Sequence, residues 1–179
     1  MKERSGKRGQ VWVETVLYTL IGFTLIGLVL GFAKPKIQEL QDKIIIEQSI
    51  EMMENIDLAF TEIIQGGAGN KRLVEVGIRK GILRINGLDN KIVFEMEGKY
   101  LYSEPGEEIQ EGNLRITSDE KGKISYINIS RDYSNYDLTY QGRDESKILS
   151  KATTAYKLII SNQGKDEVSG KTIINIELN

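Results

Sequence analysis

Residues 7–36 read KRGQVWVETVLYTLIGFTLIGLVLGFAKPK, and the organisation of the whole chain turns on this stretch. From Val11 to Ala33 it holds 23 residues with one charged side chain, Glu14. As a helix rising about 1.5 Å per residue, that length matches the ~30 Å hydrocarbon core of a bilayer. Lys2, Arg4, Lys7 and Arg8 precede it, with only Glu3 opposing. Basic flanks are retained in the cytoplasm, so the predicted orientation is N-terminus inside and everything after Lys36 outside.

Glu14 is the exception within the apolar run. A carboxylate near the bilayer centre costs ~3 kcal/mol or more, less near an interface, and calls for a partner. If the chain is cut after Gly9, Gln10 carries a new amino terminus and Glu14 becomes the fifth residue, one helical turn along. Opposite charges ~4 Å apart at an effective dielectric of about 20 attract by ~4 kcal/mol, comparable with the burial cost. The amino terminus of one subunit can then neutralise Glu14 of its neighbour, which makes Gln10 and Glu14 the candidate assembly charge pair. A glutamine that cyclises loses its amine charge, and Glu14 then needs a hydrogen bond or a proton instead.

Lys7-Arg8-Gly9 followed by Gln10, with Glu14 in the fifth place and a long apolar helix behind it, resembles the class III signal peptides of archaeal type IV pilin-like proteins. Cutting after the other leader glycine, Gly6, would put Val11 in the fifth place, so one frame fits. The resemblance covers residues 1 to about 36. It implies that a prepilin peptidase cuts between Gly9 and Gln10, with Lys7 and Arg8 as the basic residues of the leader. It further implies a structural subunit that rests in the cell membrane before assembly and in an extracellular filament afterwards. Its implied partners are copies of itself joined through their N-terminal helices, an assembly ATPase and a membrane platform protein.

Two other readings of the same residues stand beside this one. The segment can be an uncleaved anchor for a single-pass extracellular binding or adhesion domain, with Glu14 snorkelling to the interface. Gly31 and Ala33 also have signal-peptidase spacing, but 23 apolar residues exceed the ~7 to 15 of a secretory h-region.

Composition removes several function classes. The chain of 179 residues has no cysteine and no histidine, which excludes disulfides, thiolate metal sites, Ser-His-Asp and Cys-His catalysis and the usual zinc sites. The formal charge of −2 becomes −5 without residues 1–9, which argues against nucleic acid as a partner.

Beyond the span, Lys34-Pro35-Lys36 marks a boundary where proline is expected to kink or restart the helix. Ile37, Leu40 and Ile44, then Ile46, Ile50, Met53, Ile56, Phe60 and Ile63 read as one apolar stripe. Gly66-Gly67 should end the helix. Alternation then predicts a strand at Val74–Ile78 with its return at Leu83–Ile85, and further strands over 92–96, 114–116, 124–129 and 136–140. An acidic loop is expected through Glu111, and a terminal hairpin over 154–160 and 172–178. The predicted class is α+β: a basic leader (1–9), a long N-terminal helix (10–64; apolar 11–33, amphipathic 36–64) and an antiparallel β-rich head (65–179), a sandwich.

Site candidates in the head are few. Glu104, Glu107, Glu108 and Glu111, and likewise Asp132, Asn135 and Asp137, lack the spacing of a calcium loop and read as solvated turns. No carboxylate pair stands out for glycoside hydrolysis. No catalytic, cofactor or metal residue is predicted. Tyr126, Tyr133, Tyr136 and Tyr140 form either an adhesive patch or strand composition. Asn128-Ile129-Ser130 makes Asn128 a glycosylation candidate, provided Ile127 and Ile129 face the core.

Overall fold

The computed structural model describes residues 6–179, with side chains from Val11 onward. It divides into two compact units between Leu40 and Gln41. Helix α1 (Gly6–Gly66) passes from one to the other and continues through Pro35 without restarting. It ends where two glycines meet: Gly67 takes φ +81°, a backbone conformation cheap only without a Cβ, and its N–H donates to the Ile64 carbonyl at 3.2 Å.

In the second unit α1 buries Ile46, Ile50, Met53, Ile56, Phe60 and Ile63. Ile37, Leu40 and Ile44 do not belong to that stripe and are about half exposed. Helical geometry gives the reason: Ile44 and Ile46 are separated by about 200° of rotation, so the run reads as two opposite faces.

Ten strands follow: β1 (Lys71–Val76), β2 (Ile82–Asn86), β3 (Lys91–Gly98), β4 (Glu108–Glu111), β5 (Leu114–Lys121), β6 (Ile124–Asp132), β7 (Tyr136–Tyr140), β8 (Ser146–Ser150), β9 (Tyr156–Lys165) and β10 (Thr172–Leu178). They make two sheets, ordered β1-β9-β10-β7 and β4-β5-β6-β3-β2-β8. Every pairing is antiparallel except β7 with β10. The helical stripe and the inner faces of both sheets share one hydrophobic cluster. The class is therefore α+β, a long N-terminal helix followed by a sandwich-like, mainly antiparallel head. The terminal hairpin is present as β9 and β10.

The first two strands depart from the predicted hairpin. β1 pairs β9 in one sheet, whereas β2 pairs β3 and β8 in the other. The connection buries Ile78 between them, so it steps across the core instead of turning back. The predicted acidic loop holds strand β4, and β8 is a strand the alternation did not mark. Both lie at sheet edges, where one inward apolar residue, Ile109 or Leu149, leaves too short a pattern to read.

One inward row crosses the larger sheet without a stagger: Ile109, Ile116, Ile129, Phe94, Leu83 and Leu149 are successive cross-strand partners. The helix is tied to this sheet by two carboxylates. Asp42 is buried and accepts from Lys80 Nζ and, at 2.8 Å, from the Lys99 N–H. Gly98 permits this approach, since a Cβ there would lie 2.9 Å from an Asp42 oxygen. Asp57 accepts from Arg131 Nε at 2.6 Å and from Asn113 Nδ2 at 2.8 Å.

Candidate functional site

The first unit presents the apolar span with nothing over it. From Val11 to Phe32 the large hydrophobic side chains are 47–79% exposed, an amount of bare apolar surface that water does not tolerate on a folded protein. The span is long and apolar enough to cross a membrane.

Its polar side chains are arranged for an oily environment. Thr15, Thr19 and Thr24 donate their hydroxyls to the carbonyls of Val11, Thr15 and Leu20 at 2.9, 2.8 and 2.8 Å. Each spends its polarity inside its own helix, as Ser49 and Thr61 also do in the second unit. Glu14 is exposed and has no ion-pair or hydrogen-bond partner among the described residues. Within the span Glu14 is the one acidic or basic residue.

Gly9 and Gln10 lie within α1, as do Lys7 and Arg8. The side chains of Lys7, Arg8 and Gln10 are outside the described set. Gly27 and Gly31 open onto empty space, with no atom within 4 Å of a Cβ built on either, so another helix can come close there. Beyond Pro35, Lys36 Nζ binds Glu39 at 2.8 Å, which keeps that cation at the rim of the apolar run.

The head's candidates separate into structural groups and one surface. Asn128 is half-buried on the outward side of β6, because Ile127 and Ile129 point into the core as the alternation required. It lines a cleft of about 480 Å³ with Ile82, Glu95, Glu97, Asp119 and Tyr126. No sequence signal marks this cleft, because its lining is drawn from four strands: β2 and β5 contribute one residue each, and β3 and β6 three each.

Tyr133 and Tyr140 are buried, so the four tyrosines do not form one exposed patch. Tyr133 stacks on Phe60 with ring centroids 4.0 Å apart. Burial raises its hydroxyl far above the usual tyrosine range, with Asp57 adding to the effect. Asp132 takes the Ser134 N–H at 2.8 Å, and that bond lowers its carboxyl below the ordinary value. Asp137 is bound by Ser169 Oγ at 2.8 Å. Among the described residues no three such carboxylates come together as a metal site.

Comparison with protein-family models, with curated proteins and with solved structures returned no match.

Proposed function

We propose that this chain is a structural subunit of a type IV pilus-like surface filament, assembled through its apolar N-terminal helix once residues 1–9 are removed. One observation carries the reading: the span is bare of cover, internally satisfied at Thr15, Thr19 and Thr24, and left with the lone carboxylate of Glu14. Such a surface is stable in lipid or against copies of itself. Passing from one to the other avoids exposure to water, which would cost ~25 cal/mol per Å² of apolar area.

In this reading the head lies outside the cell and a prepilin peptidase acts on the inner side. The assembly ATPase and platform protein that the leader's resemblance implies drive extraction from the membrane. Gln10 then supplies the amine that meets Glu14 of the next subunit.

Mass spectrometry of the protein recovered from cells tests the proposal. The expected mature chain begins at Gln10, as the free amine or its cyclised form, and Gly9→Ile leaves the leader attached. Recovery of the wild-type chain with residues 1–9 still present would falsify it and return the single-pass anchor.

A further inference from the structure

We infer that heads of neighbouring copies join edge to edge through β4 of one and β8 of the next, continuing the larger sheet from subunit to subunit. The filament reading supplies only the setting, because the pairing is read from the head itself.

Edge strands offer unpaired backbone groups and are usually blunted. In the smaller sheet the outer edge of β7 is engaged, and β1 lies beside the helix. The Leu138 N–H of β7 donates to Asn90 Oδ1 at 2.7 Å and the Tyr140 N–H to the Arg143 carbonyl at 2.9 Å. Arg72 and Glu62 pair there at 2.7 Å, and Asn55, Leu58 and Ala59 of α1 face Leu73, Val74 and Glu75 of β1 across a groove. In the larger sheet β4 and β8 are the outer strands, and no described strand pairs with their far sides. The Ser150 carbonyl is taken by Tyr156 Oη at 2.9 Å, which leaves Ser146–Leu149 as the open part of β8.

Direction favours a second copy as the occupant. Six strands joined only by antiparallel pairs make β4 and β8 run in opposite senses. Two heads held in the same orientation therefore meet antiparallel, and the alternation continues with neither head inverted. Such a head-to-tail contact uses different surfaces on the two partners, so it propagates from copy to copy wherever its rotation does not close a ring.

Register and charge agree with direction. Extending the inward row sets Leu149 of one head beside Ile109 of the next. That register places Lys147, whose ammonium lies over the Tyr140 ring, opposite Glu111, which accepts from Tyr102 Oη, and just past the strand ends it aligns the exposed Lys151 and Glu107. The acidic edge of one copy meets the basic edge of the other, a complementarity that selects this partner and this alignment.

The same register sets Gln110 beside Ile148, both exposed. Cross-strand Cα separations of about 4.5–5.5 Å suit a disulfide. Because the chain has no cysteine of its own, the test is full-length protein carrying Gln110→Cys and Ile148→Cys, oxidised on intact cells. The expected result is a reducible ladder of covalent multimers from the double variant and none from either single variant. Adding Lys151→Glu should cut the ladder about tenfold, and adding Glu107→Lys to that should restore it.

Absence of a ladder overturns the pairing whether or not filaments are seen. Dimers from a single variant overturn it as well, and so does a ladder indifferent to Lys151→Glu. Electron microscopy of the same cells separates the two readings. A ladder without filaments keeps the pairing and removes the filament, whereas filaments without a ladder remove the pairing alone.

Discussion

Tyr133 shows how a single residue serves packing at the expense of its polar tip. Its ring stacks on Phe60, but its hydroxyl is buried with no hydrogen-bond partner among the described residues. Asp57 lies near, yet its oxygens already accept from Arg131 and Asn113. An unmet buried hydroxyl costs ~1–3 kcal/mol, part of which its ring's burial offsets. Tyr133→Phe should therefore leave stability unchanged or raise it by up to ~1 kcal/mol at neutral pH, measured by thermal unfolding of the full chain in detergent. A loss of stability would mean that the hydroxyl is bonded after all.

The alkaline limb gives a second readout of the same substitution. Because the folded-state value is raised above the ordinary 10.0, the contribution of neutral Tyr133 is complete below pH 10 and is lost as pH climbs beyond it. Tyr133→Phe should flatten that decline. Tyr102, pushed up to about 12 by burial and by its hydrogen bond to Glu111, contributes to the slope that remains.

At the level of elements, α1 changes task along its length. Its second half is one wall of the core, and Ile46→Ala there should cost ~2–5 kcal/mol. Ile44→Ala, two residues earlier on the opposite face, should cost under ~0.5 kcal/mol by the same thermal measurement. Equal losses would contradict the assignment of the two faces. The helix, its glycine stop and the alternating strands were legible because each repeats its pattern several times. The partner of β1 was not, since the choice between β2 and β9 depends on how Ile78 crosses the core. β4 and β8 escaped notice because four or five residues at an edge carry one inward apolar side chain each. Glu14 and the Lys7 to Gln10 motif stand out in the sequence alone, whereas the cleft around Asn128 exists only once four strands are side by side.

Taken whole, the chain joins a surface suited to oil and a surface suited to water with no loop between them. Glu14→Ala tests the proposed link between the two environments. It should permit removal of the leader, because the Gly9–Gln10 junction is untouched, while lowering filament yield about tenfold or more by stranding the neighbour's amine. Yield is read by quantifying sheared filaments, and an unchanged yield would remove the charge pair from the mechanism.

Asp42, buried at the start of the second unit, has a mechanical consequence. It accepts from Lys80 and the Lys99 N–H one turn ahead of Ile46, so an opening of the second unit that starts at this end must break charged bonds before it reaches the apolar packing. A charged latch of this kind guards the oily interior from being peeled open.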